Sequence, residues 1–304
     1  MKLIKPSVEY IPQEEKRIPL KHIELCARTC YKSENKITVD SAKNFVEGLI
    51  MTGHWAMLEH GTLYLYLEVN PDNAFKKFKY VSAKFTAPYN WNDVVGTIAA
   101  KYRSNPHSEV NTIYNENGRK VYITTNYRVI LDNDWVEDFQ FTCDSPTEYH
   151  KKRYTLKFIC DRSVSHELVR HRAFSFAQES QRYCNYSKDK FNHEVVFIDP
   201  SWNMLQTAVY NGIDKSDGDY FNHALRDAEK YYFKLLDLGW SPQQARSVLP
   251  NATKTEIVMT GFEDDWKHFF DLRLRGTTGK PHPDMQHLAE LAWSEFKDKL
   301  GLEL

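Results

Sequence analysis

Arg170, His171 and Arg172 stand side by side, and after seven intervening residues come Ser180 and Arg182. Guanidinium groups offer a planar fork of donors that grips phosphate or carboxylate at two points and stays charged at any physiological pH. With a hydroxyl in the same thirteen positions, the cluster has the chemistry of an anion site. A solvated basic face is the other reading of such a tripeptide. The elements around it bear on the choice. Ser163 to Val169 reads as a short helix with Val164 and Leu168 on one face, so that His166 and Arg170 share another at a spacing of four. Ala173 to Ala177 then breaks the helical pattern. The arginines therefore fall near a helix end, where they can point into a cleft.

Four further segments extend the pattern. Ala27-Arg28 with Tyr31 lies near the N-terminus, and Gly53-His54 followed by Glu59-His60 leads into a strand. Ala245-Arg246 precedes Val248-Leu249-Pro250. Phe269-Phe270 precedes Leu272-Arg273, with His282 and Gln286 downstream. Together with the arginine cluster and Ser180, these resemble, in order, the motifs of the flavin-dependent thymidylate synthases. That family makes thymidylate from deoxyuridylate (dUMP) with a reduced flavin.

The resemblance implies a site that holds dUMP and flavin adenine dinucleotide (FAD). Arg170 would lie between nucleotide and flavin. Ser180 and Arg182 would bind the nucleotide phosphate, Arg246 and Glu167 would join that site, and Arg273 would contact and polarise the pyrimidine, making Arg273 and Arg170 the catalytic pair. His54, His171, Arg172, Gln178, His268 and His282 would fall on flavin-binding positions. The sequence departs from the family at Gln178, where glutamate is frequent, at Glu167, where glutamine is frequent, and at His268, where asparagine is commoner. The implied reaction uses NADPH to reduce FAD and 5,10-methylenetetrahydrofolate as one-carbon donor, in a homotetramer whose sites form at subunit interfaces. A nucleotide-binding relative without catalysis is the alternative within the family.

The residues weigh against some other chemistries. No Gly-x-Ser-x-Gly elbow surrounds Ser180, which favours a phosphate ligand over a nucleophile. His54 and His60, six apart, match no zinc spacing, and no metal is expected. No Gly-x-Gly-x-x-Gly follows a strand, so a flavin would not be held in the Rossmann manner. Five cysteines without a C-x-x-C pair read as reduced thiols, and Cys184 beside the motif lacks a dedicated base.

The chain has 304 residues, 41% hydrophobic, 27% charged and 14% aromatic, enough for a substantial core. A net charge of −1 supplies no global basic field, so nucleic acid is not an expected partner, although Phe174, Phe176, Tyr183 and Tyr186 could form a stacking platform beside the arginines. Apolar runs fall short of the ~20 residues of a membrane span, and the start lacks a signal-peptide core. A cytoplasmic protein is expected.

The fold class read from the pattern is α+β: a mixed or antiparallel sheet flanked by helices, in a single domain over 1–304 with an inserted α/β segment at about 70–150. Thr62 to Val69 alternates strictly and is a strand, as are 121–130, 154–159 and 253–262. Helices are expected at 40–51, capped by Asp or Thr, at 73–83, 92–103, 219–238, 264–274 and 283–300, with a turn at 115–118. Ser241, Pro242 and Gln244 form a capping box that places Arg246 on a short helix stopped by Pro250.

Overall fold

The computed structural model describes residues 1–13, 19–78, 89–201 and 216–302. In chain order its elements begin with β1 (Lys2–Ile4), β2 (Ser7–Ile11), α1 (Pro19–Tyr31), α2 (Ser41–Met51) and β3 (Thr62–Val69). Then come β4 (Lys77–Phe78), β5 (Tyr89–Asn90), α3 (Trp91–Arg103), β6 (Glu109–Asn115), β7 (Gly118–Asn126) and α4 (Tyr127–Asp132). The remainder is β8 (Arg153–Asp161), α5 (Arg162–Leu168), β9 (Ser175–Gln178), β10 (Val196–Ile198), α6 (Ser216–Asp237), α7 (Pro242–Ala245), β11 (Lys254–Phe262), α8 (Glu263–Arg273) and α9 (Pro283–Leu300).

The sheet that carries the motif runs β2-β8-β11-β9, every neighbour antiparallel. Alternation along β8 sends Tyr154, Leu156, Phe158 and Cys160 to one face, where α5, α8 and α9 cover them. The expected stripe on α9, Met285, Leu288, Ala292 and Phe296, is fully buried there. Each large side chain of such a stripe contributes about 1.5–3 kcal/mol by leaving water. On the opposite face α1 packs Cys26 against Ile11, Ala177 and Val258. A buried polar chain also crosses that face: His22 to Thr155 at 3.0 Å, Thr155 to Thr260 at 2.8 Å, and Thr260 to His60 at 2.8 Å.

A second sheet, β3-β7-β6, closes over α3 with a core of its own that includes Leu63, Leu65, Leu67 and Val69. The β6 to β7 hairpin turns at Gly118, whose φ of 127° and distance of 2.0 Å from an added Cβ to the Val69 carbonyl oxygen admit only glycine. A parallel pair, β1 with β10, completes the framework beside α6.

Two expected elements differ. The strand expected over 121–130 stops at Asn126, whose side chain accepts from the Val129 N–H at 3.1 Å and caps α4, so Tyr127 to Ile130 are helical. The helix expected at 73–83 is replaced by turns through residue 75 and by β4, and residues 79–83 of it lie outside the described residues. Asn70 caps a single turn, its side-chain oxygen accepting from the Asp72 and Asn73 N–H groups, and beyond it the carbonyls of Ala74 and Lys76 accept from the Asn92 and Trp91 N–H groups rather than from a continuing helix. Elsewhere the expected bounds recur, with α3 capped by Asn90 and α6 closed by Gly239 at φ 90°. Asp40 stands at the N-cap of α2 but makes no capping bond.

Candidate active site

Strand β8 hands the chain to α5 through Asp161, whose carboxylate accepts from the Val164 N–H at 2.7 Å. Val164 and Leu168 are buried and His166 is exposed, as the periodicity requires. The helix then unwinds in one turn, with Arg170 N–H on the Glu167 carbonyl and His171 N–H on the Leu168 carbonyl. Phe174 anchors the exit by packing edge-on to Trp266 at 4.6 Å, and β9 follows on β11. This short bend turns Arg170 and Arg172 outward. Both side chains are exposed and form no hydrogen bond or ion pair among the described residues.

Arg273, the last residue of α8, meets this bend across 102 residues of chain. Its Nε donates to His171 Nε2 at 3.0 Å, Nη1 to Glu167 Oε2 at 2.6 Å, and Nη2 to the Glu167 carbonyl at 3.3 Å. Since a guanidinium only donates, His171 Nε2 must accept, and the ring is neutral with its proton on Nδ1. Burial, then Arg273, then His268 hold the imidazole down at about 4. His171 and Glu167 therefore orient Arg273, and His171 keeps Nδ1 for any ligand. His268 is exposed on α8. His282, the N-cap of α9, has its carbonyl bonded to the Gln286 N–H at 2.8 Å. The Gln286 side chain reaches the Leu274 carbonyl, tying α9 to the residue after Arg273.

Ser180 and Arg182, the residues expected to bind phosphate, lie at the far end of β9. Ser180 donates its N–H to the Cys30 carbonyl at 2.9 Å, and its hydroxyl has no partner among the described residues. Arg182 is exposed, with its guanidinium 5.7 Å from the Tyr183 ring. Tyr183 packs on Tyr31 at 5.4 Å, and the Tyr31 hydroxyl lies 3.4 Å from His54 Nδ1. A continuous strip thus joins His54, Tyr31, Tyr183 and Arg182. Gln178 is turned into the protein, donating to Ser165 Oγ at 2.9 Å and Thr255 Oγ1 at 3.3 Å.

The short helix α7 begins with Pro242, and the Ser241 N–H donates to Gln244 Oε1 at 2.9 Å. Arg246 follows at its end, near Arg162. Sequence reasoning passed over Arg162, whose only signal is its place at the junction of β8 and α5. Burial first, and Arg246 among the nearby charges, lower its affinity for its proton. Two guanidinium groups near each other favour an anion between or beside them. Two other residues take internal roles: His60 is wholly buried on Thr260, and the Cys184 thiol is pushed up to about 12 by burial. Among the described residues no group of three His, Cys, Asp or Glu side chains is arranged to hold a metal ion.

The arrangement defines an α+β protein in which Arg170, Arg172 and Arg182 face outward from the bend and from the end of β9. The family model described as thymidylate synthase complementing protein matches residues 98–300, and the chain belongs to that family. Among curated relatives, the flavin-dependent thymidylate synthase of Pyrococcus abyssi is 34% identical over 115 residues, which cover 38% of this chain and 43% of the relative. That of Corynebacterium efficiens is 36% identical over 113 residues, 37% of this chain and 45% of the relative. That of Mycobacteroides abscessus is 36% identical over 157 residues, 45% and 57% respectively. The match spans about half the length of these relatives. Among solved structures, the UMP/dUMP methylase PolB of Streptomyces cacaoi bound to 5-Br dUMP aligns with a TM-score of 0.43 at 16% identity, covering 98% of this chain and 93% of that one.

Proposed function

We propose that this protein is a flavin-dependent thymidylate synthase, which converts dUMP to dTMP with methylenetetrahydrofolate as one-carbon donor and NADPH as reductant. The observation that carries the reading is the Arg273 cluster: a guanidinium held by His171 and Glu167 at the very bend that exposes Arg170 and Arg172. The donor set fits the ligands. Arg170, Arg172 and Arg182 carry no carboxylate partner among the described residues, which suits a nucleotide phosphate and the pyrophosphate of FAD.

When bound, the flavin would supply the hydride that completes the methyl group. The protein's own part is orientation and electrostatics. Ser180 Oγ and Arg182 hold the nucleotide phosphate, with Arg246 beside them. Arg273 faces the pyrimidine and favours negative charge building there, which removes the need for an attacking thiolate. Arg170 would stand between nucleotide and flavin. Arg172, His54, His268 and His282, together with Nδ1 of His171, supply the flavin-facing donors. Gln178 contributes by tying β9 to α5.

The exposed His54, Arg170, Arg172, Arg182 and Tyr183 leave the site open to a neighbouring subunit, in keeping with a homotetramer that completes each site across an interface. Residues 70–150 form an inserted α/β segment on a single domain, supported by the separate core that β6, β7 and α3 build with β3. Five free thiols support a reducing, cytoplasmic setting. No described helix is long and apolar enough to cross a membrane.

The test is the visible spectrum of the protein after incubation with FAD and gel filtration, followed by anaerobic NADPH in the presence of dUMP. A retained flavin band that bleaches is expected. A colourless protein refutes the flavoenzyme reading and leaves nucleotide binding without catalysis.

A further inference from the structure

Directly beneath Ser180 lies a group of buried charges that the reaction does not use. Glu179 is 2% exposed and Glu256 is 5% exposed. Buried carboxylates of this kind persist only when paired. Lys254 Nζ lies 2.8 Å from Glu179 Oε2 and also bonds Glu256 Oε1. Lys32 Nζ reaches the same Glu256 oxygen at 2.7 Å, and Lys157 Nζ lies 3.2 Å from the other. The result is a relay of charge from the end of α1, through β11, to the residue before Ser180.

The backbone follows the same route. Glu179 N–H donates to the Glu256 carbonyl at 2.8 Å, and the next N–H, that of Ser180, donates to the Cys30 carbonyl at 2.9 Å. Consecutive amides thus bridge β11 on one side and α1 on the other. The spacing of those two elements decides where the Ser180 hydroxyl and Arg182 stand. Lys32 is the residue that couples them, and it holds φ at 48°, a left-handed conformation uncommon for a lysine. That conformation accompanies the ammonium's pairing with Glu256. A cleft of about 450 Å³ lined by Lys32, Glu179 and Lys254 lies against the network.

We propose that Glu179, Lys254, Glu256 and Lys32 are positioning residues for the nucleotide phosphate, setting the place of Ser180 and Arg182 relative to α1 without touching the nucleotide. This rests on the dUMP reading above. It predicts a separation of effects: nucleotide affinity depends on the network, whereas flavin retention and turnover at saturating dUMP do not.

The test uses the full chain loaded with FAD. Calorimetry would give the dUMP dissociation constant, alongside KM and kcat, for wild type, Glu179→Gln, Lys254→Met and Lys254→Arg. Glu179→Gln and Lys254→Met are expected to weaken dUMP binding about tenfold, within the range by which indirect contacts bias a binding site. FAD retention and kcat should stay near wild type, and Lys254→Arg should restore affinity. Wild-type affinity in both Glu179→Gln and Lys254→Met overturns the proposal, as does a parallel loss of FAD and kcat, which would mark general loosening. Should Glu179→Gln not fold, Lys32→Met at the more accessible end is read by the same criteria. A wild-type protein that binds no dUMP overturns the functional reading itself, and this inference with it.

Discussion

Replacing Arg273 with lysine probes the centre of the proposed chemistry. The arginine makes three bonds, two through different edges of its fork to Glu167 and one to His171. An ammonium on a flexible stem can satisfy one of these acceptors at a time and cannot hold the plane that aims the remaining N–H groups. The folding penalty should be small, about 1 kcal/mol or less, because the Arg273 and Glu167 side chains are 20% and 33% exposed and water can replace the lost contacts. The catalytic penalty should be larger. Losing one preorganised donor to developing charge lowers kcat about 10²–10³-fold, or 2.7–4 kcal/mol. Anaerobic flavin reduction by NADPH should proceed at nearly the wild-type rate, since it does not need charge on the uracil ring, while dTMP formation measured by chromatography should fall by that factor. Turnover within about fivefold of wild type would refute the assignment of Arg273 as the group that polarises the pyrimidine.

Three further outcomes follow from the same geometry. Ser180→Ala should raise the dUMP dissociation constant about tenfold, the value of a hydrogen bond to a charged phosphate, with uridine binding unaffected; equal losses for both ligands would remove Ser180 from the phosphate site. Gly261→Ala places a Cβ 2.6 Å from the Phe174 ring, and the crowding should destabilise the fold by about 1–3 kcal/mol in urea titrations, with an unchanged midpoint contradicting the packing at the motif exit. Stability should also fall on acidification below pH 6.5, because the unfolded chain then binds protons that His171, held at about 4, and His60, held at about 3, refuse when folded. His171 alone accounts for a loss on the order of 3 kcal/mol by pH 4, and His171→Asn should flatten that limb of the melting curve.

Much of the scaffold was legible because its signals are local. Leu63 to Val69 alternates, the α9 stripe recurs at helical spacing, and Ser241 to Gln244 carries its own start signal. Each of these elements appears at nearly the expected bounds. Local signals also misled: Asn126 caps a helix inside an apolar run, and the carbonyls of Ala74 and Lys76 are taken by the distant Asn92 and Trp91 N–H groups. Strands β1 and β10 are only three residues long, too short for a period to show, and the alternation of β2 covers only five. In the site, the residue types and order were readable, but the pairings were not. His171 and Arg273 are joined across 102 positions, and nothing in either neighbourhood announces that the imidazole accepts from the guanidinium. Glu179 is the sharpest case, since nothing beside a proposed phosphate ligand announces a carboxylate buried on Lys254.

The polar chain across the central sheet carries a property of a different kind. Three bonds link His22 Nε2, the hydroxyls of Thr155 and Thr260, and His60 Nδ1, yet the two hydroxyls own only two protons. With both kept in the chain, one imidazole must donate and the other accept. Either His22 carries its proton on Nε2 and His60 on the nitrogen away from the chain, or the reverse holds, and changing one reverses every bond between them. The tautomers of two histidines in separate elements are thereby a single shared variable. Nitrogen NMR of the imidazoles would register them as complementary, the signal of one ring predicting that of the other.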